Sequence, residues 1–298
     1  MEIIMSNYIL SGCSVADLSI EDFEKRNINC IYYHYTLGGT EYIDDMGKSL
    51  SHKEFYRRML AGEDTKTWQI NSMQFCDEFR PILEKGLDIV HVTLSSGLSG
   101  VYNSAVMAAE MLKEEFPERN IYIVDSLGAS TGYGVILEKM AELRDNGMSA
   151  KDLADWAKEN VLRLHYEFTS TDLTFYIKGG RISKTSGMVG TLLGICPLMD
   201  MDNVGKLVPR KKVRTKKKVI NEIVSLMEQR ADNGLMYNDQ CFICHSDDIE
   251  DAEYMKKLVL DKFVNVKEIP IYSIGTVIGS HSGPGTLALF YWGEKRVD

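Results

Sequence analysis

A run of serine and glycine residues separates two segments of opposite texture in the first half of the chain. Residues 88–93 are rich in β-branched side chains and predict a buried strand, whereas the apolar spacing of residues 101–116 predicts a helix. The run between them contains Ser96, Ser99 and Gly100. Backbone N–H groups at the start of a helix, its dipole and nearby hydroxyls together suit an anion. Ser99 is therefore either an anion donor or simply the N-cap of the helix.

A second polar segment contains Thr67 and Gln69 and precedes another predicted helix. Asn71 or Ser72 is the expected N-cap of that helix, which leaves Thr67 and Gln69 as spare polar groups. Residues 124–134 repeat the order of strand, polar loop and helix, but they lack the third glycine of a dinucleotide-binding fingerprint. The sequence also contains no phosphate-binding P-loop.

Two later segments carry side chains that can recognise an anion. Gly179 and Gly180 precede Arg181 and allow a tight turn that fixes the direction of the guanidinium, which is suited to bidentate oxyanion binding. The alternative is an arginine solvated in a turn. His281 lies in the glycine-rich residues 279–285, which predict a loop. There the imidazole can donate to a carboxylate, act as an acid or base, or only satisfy the loop.

Composition restricts the class of protein. The 298 residues are enough for two domains, and 44% hydrophobic with 26% charged residues is ordinary for a globular protein. A net charge of −9 argues against general nucleic-acid binding. No apolar run approaches the ~18 residues of a membrane span, and the N-terminus lacks the basic start of a secretory signal. We therefore expect a cytoplasmic protein without stable membrane insertion.

Two further local patterns in the sequence need a separate interpretation. Residues 206–218 hold eight Lys and Arg and no acidic residue, and they are a solvated face, a docking patch for an acidic partner or a phosphate-facing surface. Cys241, Cys244 and His245 have the spacing of a haem-attachment motif. The apolar residues between the two thiols favour a buried strand instead, and we expect no metal site.

The order of the predicted elements indicates an α/β fold. In the first half, strands over residues 8–11, 31–37, 88–93 and 121–125 alternate with helices over 51–61, 72–85, 100–116, 131–145 and 149–164. This order predicts a mostly parallel sheet flanked by helices. In the second half, strands over 169–177, 197–201, 206–213, 240–245, 267–273 and 286–291 surround helices over 216–230 and 248–263. That part predicts a mixed α+β layer. We expect domains 1–165 and 166–298 with a ligand cleft between them.

Six motifs, in this order along the chain, resemble the DegV family of bacterial proteins. They are Thr67-x-Gln69, Ser95-Ser96-x-x-Ser99-Gly100-x-Tyr102-x-Ser104-Ala105, Asp125-Ser126-x-x-x-Ser130-x-Gly132-x-Gly134, Lys178-Gly179-Gly180-Arg181-Ile182-Ser183, Pro197 through Arg214-Thr215, and Gly279-x-His281-x-Gly283-Pro284-Gly285. The resemblance implies two α/β domains around one long-chain fatty acid. It also implies the fatty-acid-binding subunit of a bacterial fatty acid kinase, in which a separate ATP-dependent kinase protein phosphorylates the bound carboxyl group for phospholipid synthesis.

The resemblance assigns roles to residues of this chain. It implies that Thr67 and Ser99, with Ser96 and Gly100, bind the carboxylate, and that His281 contacts the same head group. It implies that Arg181 and Arg214 stabilise the phosphoryl group or dock the kinase. The expected partners are the fatty acid and the kinase. The resemblance implies no catalytic residue of the chain's own and no cofactor.

Three positions depart from the family pattern, and two other functions compete with it. The family's Thr-Asp-Ser is Ser11-Gly12-Cys13 here, Trp68 lies beside the proposed carboxylate site, and Val101 replaces the usual Thr. A serine hydrolase using Ser99 and His281 is one alternative, although the sequence around Ser99 lacks the nucleophile-elbow pattern. A nucleic-acid binder acting through residues 206–218 is the other.

Overall fold

The computed structural model describes residues 7–183 and 195–297 of the chain. The strands are β1 Tyr8–Cys13, β2 Ile28–Ile31, β3 His34–Leu37, β4 Thr40–Ile43, β5 Thr65–Trp68, β6 Asp88–Thr93, β7 Ile121–Asp125, β8 Leu164–Thr169, β9 Ile195–Met201, β10 Leu207–Arg214, β11 Cys241–His245, β12 Ile271–Ser273 and β13 Leu287–Trp292. The helices are α1 Ile20–Lys25, α2 His52–Leu60, α3 Ser72–Glu84, α4 Val101–Glu115, α5 Ser130–Asp145, α6 Ala150–Asn160, α7 Thr174–Lys178, α8 Lys216–Arg230, α9 Ile249–Lys262 and α10 Thr276–Ser282.

The strands form three sheets. Sheet A is parallel, with the order β2-β1-β6-β7, and its central strand β6 buries Ile89, Val90 and Val92 completely. Sheet C has the order β10-β9-β8-β13-β11-β12 and is mixed, with β11 and β12 parallel and the other pairs antiparallel. Sheet B is a small antiparallel sheet with the order β4-β3-β5. The predicted α/β class, a parallel sheet with helices followed by a mixed layer, is confirmed.

Helix α5 lies between the two large sheets and is buried along most of its length. It contacts β1 of sheet A and β8, β11 and β13 of sheet C. A Cβ added at Gly132 would lie 2.2 Å from the Tyr166 ring, and one at Gly134 would lie 2.7 Å from Leu18. Gly132 and Gly134 are therefore close-packing positions, which explains two glycines that follow a strand without forming a nucleotide site.

The strand order of sheet A brings several loops together at one edge of the sheet, at the carboxyl ends of its strands. The chain leaves β1 for β2 on one side and reaches β6 on the other, so the direction of winding reverses between β1 and β6. Ligands of such sheets bind outside the carboxyl ends of the strands at this reversal. The serine-rich loop between β6 and α4 begins at that edge. Asn71 caps α3 nearby, and its capping box with Gln74 confirms one of the two predicted N-caps.

Several predicted elements are wrong in type or extent. Residues 169–177 do not form one strand, because β8 ends at Thr169 and Thr174–Lys178 form helix α7. The predicted strand over 31–37 is split between β2 and β3, which belong to different sheets. The glycine-rich segment around His281 is helical over Thr276–Ser282 and ends at Gly283, whose φ of +69° suits glycine. Tertiary packing on sheet B and α2 overrides the weak helix propensity of this segment.

The boundary expected near residue 165 stays a prediction. Sheet C begins at Leu164, yet α10 from the C-terminal part contacts β3, β5 and α2 from the N-terminal part. None of the helices in residues 7–183 and 195–297 has both the length and the apolar character that crossing a bilayer requires.

Candidate functional site

A cavity of about 420 Å³ lies between sheets A and C at the carboxyl ends of the sheet A strands. Its volume is within the range of about 300–1,000 Å³ typical of small-molecule sites. Most of its wall is apolar, with a prominent aromatic part on sheet C, α7 and the neighbouring loops. That part includes Tyr33, Tyr166, Phe168, Tyr176 and Phe290. Thr67, Ser99, Gly100, Arg181 and His281 also line this cavity.

Thr67 and His281 meet in the cavity wall although 214 positions separate them in the chain. Thr67 is in β5, the third strand of sheet B, and its Oγ1 lies 2.8 Å from His281 Nε2. His281 is in the last turn of α10, and its Nδ1 lies 3.2 Å from Arg181 Nη1. Because a guanidinium only donates, Nδ1 accepts and Nε2 carries the proton. His281 therefore donates to Thr67, and the Thr67 hydroxyl proton is available for another acceptor.

Arg181 is half-buried and is the cation of this group. Its Nη1 also donates to the carbonyl of Gly179 at 2.5 Å, so the turn after α7 fixes the guanidinium as the two glycines predicted. Burial, and to a smaller extent the charge of Arg181, lowers the pKa of His281 to about 4. His281 is consequently neutral at physiological pH, and the positive charge at this end of the cavity belongs to Arg181.

Ser99 and Gly100 form a second donor group at the start of α4. The Ser99 hydroxyl donates to Gln69 Oε1 at 3.1 Å, and the Gly100 N–H donates to the same oxygen at 3.0 Å. The Ser99 oxygen also accepts from the N–H of Val101 at 3.3 Å. Gly100, not Ser99, is the N-cap of α4. Ser99 is itself part of the cavity wall, so the alternative that it is simply the N-cap is wrong.

Two predicted site residues lie elsewhere. Ser96 is exposed and is absent from the cavity wall, and its backbone N–H donates to the carboxylate of Asp125 at 3.1 Å. Arg214 is exposed at the end of β10, also outside the cavity wall. The structure therefore brings together Thr67, Ser99, Gly100, Arg181 and His281, but not Ser96 or Arg214.

The positions that depart from the family pattern, Val101 among them, are absent from the cavity wall. Trp68 is 47% exposed, faces His34 across the sheet B pair and does not line the cavity. Gly12 and Cys13 belong to β1, where a Cβ at Gly12 would lie 2.5 Å from Leu137 of α5. These positions concern packing of the core.

Sequence reasoning missed Ser130 and Cys244 as parts of the cavity wall. Both line it, and the Ser130 oxygen lies 3.6 Å from the Cys244 sulfur. The signal for Ser130 was available in the Asp-Ser-x-x-x-Ser motif that follows β7. Cys244 lies in β11 with Cys241 and His245, all buried, so the haem-like spacing belongs to an interior strand.

The geometry gives little support to a serine hydrolase. The hydrogen bonds of His281 Nε2 and Nδ1 go to Thr67 and Arg181, and the Ser99 hydroxyl is bonded to Gln69. A triad requires the imidazole to accept the serine proton, and this imidazole is oriented by other groups.

Acidic neighbours partly neutralise the basic residues of the segment 206–218. Arg210 pairs with Asp200 at 2.7 Å, Lys211 pairs with Glu222, and Lys216 pairs with Asp248 and Asp251. Cations held in this way are poor partners for a phosphate backbone. This argues against the nucleic-acid alternative.

Fold and site together define a three-sheet α/β protein with an apolar cavity between sheets A and C and anion donors in the cavity wall. Residues 14–294 match the model of the DegV family, which is described as uncharacterised. A DegV domain-containing protein of Clostridium perfringens is 36% identical over 293 residues, which cover 98% of this chain and 99% of that protein. The chain belongs to the DegV family, as the six motifs predicted.

Solved structures of the family have the same fold. The Bacillus subtilis DegV, described as a fatty acid binding protein, is 26% identical with a TM-score of 0.83, covering 97% of this chain and 100% of that chain. A Thermotoga maritima protein, described as revealing fatty acid binding function, is 25% identical with a TM-score of 0.81 over 97% and 100% of the two chains. A stearic-acid-binding protein of Eubacterium ventriosum is also 25% identical, with a TM-score of 0.83 over 95% and 97%.

Proposed function

We propose that this protein binds a long-chain fatty acid, with the acyl tail in the internal cavity and the carboxylate at Thr67, Ser99 and Gly100. The observation that carries the proposal is an apolar, partly aromatic cavity whose wall also contains hydroxyl and N–H donors next to one arginine. Hydroxyl and amide donors are the groups that a carboxylate accepts from, and a nearby guanidinium balances its charge. Fatty-acid binding by the related solved proteins supports the same assignment.

The two parts of the ligand contribute differently. Burial of about 14 methylene groups, at about 0.8 kcal/mol each, contributes on the order of 11 kcal/mol before ordering costs. Each head-group hydrogen bond to the carboxylate adds only about 1.5–3 kcal/mol. Affinity therefore arises mainly from the tail, and the head-group residues fix where the carboxylate lies.

We further propose that the chain presents this carboxylate to a separate cytoplasmic, ATP-dependent kinase and does not catalyse the reaction itself. A carboxylate oxygen would bond to the γ-phosphorus of ATP while the bond to ADP breaks, giving an acyl phosphate for phospholipid synthesis. The nucleotide would come with the kinase, since this sequence has no P-loop or dinucleotide fingerprint. Arg181 would stabilise the phosphoryl group, and the exposed Arg214 would contribute to kinase docking.

Mass spectrometry of the purified protein tests the binding step. Native spectra are compared with spectra of the denatured protein, and the dissociated material is extracted into organic solvent. We expect a stoichiometric species with the mass of a long-chain fatty acid, which also supplies the chain length. Protein that carries no fatty acid and takes up none when it is added would overturn the proposal.

The division of roles is tested with a purified bacterial fatty acid kinase. Arg181→Ala is expected to retain fatty acid but to form acyl phosphate at least about tenfold more slowly, because the guanidinium acts mainly on developing phosphoryl charge. Arg57→Ala, on the exposed face of α2, is the matched control. If Arg181→Ala loses the fatty acid instead, Arg181 belongs to the carboxylate site.

A further inference from the structure

The side-chain amide of Gln69 has a fixed orientation in the cavity wall. Its Oε1 lies 3.1 Å from Ser99 Oγ and 3.0 Å from Gly100 N, and its Nε2 lies 3.4 Å from Ser104 Oγ. A backbone N–H only donates, so the amide oxygen, not the nitrogen, must face Gly100. The two ends of the amide are thus assigned by their partners.

The oxygen of Gln69 has the surroundings that a ligand carboxylate oxygen requires. It accepts from one hydroxyl and one backbone N–H, and both donors belong to residues of the cavity wall. A carboxylate placed on Ser99 and Gly100 needs the same two hydrogens. The amide and the carboxylate therefore cannot both make these bonds.

We infer that Gln69 is an internal competitor of the fatty-acid carboxylate and must swing away when the ligand binds. The inference rests on the proposed function, whose carboxylate site it refines. Gln69 is exposed and follows β5, so its side chain can move without disturbing buried packing. Hydrogen bonds to a charged carboxylate are roughly twice as strong as those to a neutral amide, so the ligand displaces the amide at a net gain.

Thr67 does not take part in this competition. It lies two residues earlier, inside β5, where pairing with Tyr35 of β3 holds it, and its hydroxyl is oriented by His281. The carboxylate thus meets one donor, Thr67, that is always available, and two others, Ser99 and Gly100, that become available only when Gln69 leaves.

Titration of lipid-free protein with oleic acid at pH 8 tests the inference. Loss of two neutral hydrogen bonds from the competing group predicts that Gln69→Ala binds about 3- to 10-fold more tightly than wild type. Gln69→Glu places a carboxylate on the same donors and is expected to bind at least about 10-fold more weakly. Gln229→Ala, an exposed glutamine on α8, is the matched control and is expected to leave the affinity unchanged.

The outcomes separate this inference from the proposed function. Wild-type protein that binds no oleic acid would overturn the proposed function itself. If wild type binds and Gln69→Ala binds equally or more weakly, Gln69 supports the site and the competition is wrong. A structure of the oleic acid complex gives an independent readout. We expect a ligand oxygen within hydrogen-bond distance of Gly100 N, and Gln69 Oε1 still bonded there would overturn the inference.

Discussion

The two ends of helix α10 lie in polar surroundings of opposite character. At its C-terminal end, half-buried His281 contacts Thr67 and Arg181 beside the cavity. At its N-terminal end, Thr276 donates to the carboxyl of Asp44 at 2.7 Å, and both residues are almost completely buried. One short helix therefore joins the part of the cavity wall that holds the positive charge of Arg181 to a buried acidic group.

The acidic end contains two buried carboxyl groups, those of Asp17 and Asp44, near Gly275. A Cβ at Gly275 would lie only 2.5 Å from Asp17 Oδ1, so glycine leaves the room that this carboxyl needs, whereas 3.7 Å to Asp44 Oδ1 is ordinary contact. Ser130 donates to Asp17. Burial raises the pKa of both carboxyls. The charge of Asp44 raises the pKa of Asp17 further, whereas hydroxyl donors partly offset the effect of burial on each carboxyl.

The two ends respond to pH with opposite signs. A carboxyl whose folded pKa is raised stabilises the fold fully below its ordinary value of 3.8, and this contribution is lost as pH rises through the folded pKa. His281 has a lowered pKa, so its contribution is present above 6.5 and is lost as pH falls to about 4. Burial therefore raises the pKa of Asp44 at one end of the helix and keeps the His281 imidazole neutral at the other.

The largest expected effect is at the acidic end. Thr276→Val removes the hydroxyl that donates to Asp44, so a buried carboxyl oxygen loses this hydrogen bond. The loss should lower the free energy of unfolding by about 2 kcal/mol. Urea denaturation at pH 7 measures this value. Thr276→Ser keeps the hydroxyl and should lose less than about 1 kcal/mol. Wild-type stability in Thr276→Val would mean that this contact does not anchor α10.

A smaller effect with a distinct pH dependence is expected for Asp44→Asn. The amide resembles the protonated carboxyl, so the variant should be more stable than wild type by about 1 kcal/mol at pH 8, with the difference vanishing toward pH 4. Urea denaturation at several pH values checks the trend. Asp77→Asn, on a largely exposed side chain of α3, should show no such trend. Lower stability of Asp44→Asn at every pH would contradict the raised pKa.

At the cavity end, binding should change more than stability. Thr67→Val removes one hydroxyl donor to the carboxylate and is expected to weaken oleic acid binding about tenfold, equivalent to about 1.4 kcal/mol. Because the substitution would also leave the His281 N–H without its acceptor, a loss of stability smaller than that of Thr276→Val is expected. Displacement of a fluorescent fatty acid measures the affinity. Thr67→Ser should bind within about threefold of wild type. Equal affinity of Thr67→Val and wild type would remove Thr67 from the carboxylate site.

The smallest change in stability is expected for Arg181→Met, below about 0.5 kcal/mol at pH 7, because the guanidinium is only half-buried. The pKa of His281 should nevertheless rise from about 4 toward 6.5, and only partway, since burial is the larger cause of its depression. Titration of the imidazole by NMR measures the pKa. A pKa unchanged in Arg181→Met would mean that burial alone sets it.

Much of the fold could be predicted because its signals are local. The β-branched residues of β6, the serine-glycine run and the apolar spacing of α4 lie within 30 residues of one another, and all three elements form as expected. Thr67, Ser99, Arg181 and His281 were likewise identified from their loops and motifs, and they line one cavity. Helix α10 was missed because its single glycine, two serines and lone histidine have weak helix propensity.

The sequence alone determined which residue types were available: hydroxyls, one arginine after two glycines, and a histidine among small residues. Only the tertiary structure decided their partners. Contacts such as Thr67 with His281 and Thr276 with Asp44 join residues 214 and 232 positions apart. The tautomer of His281, the buried acidic group and the competition at Gln69 all follow from such contacts. Local propensity acts over a few residues, whereas these pairs are set by how sheets A, B and C pack around α5 and α10.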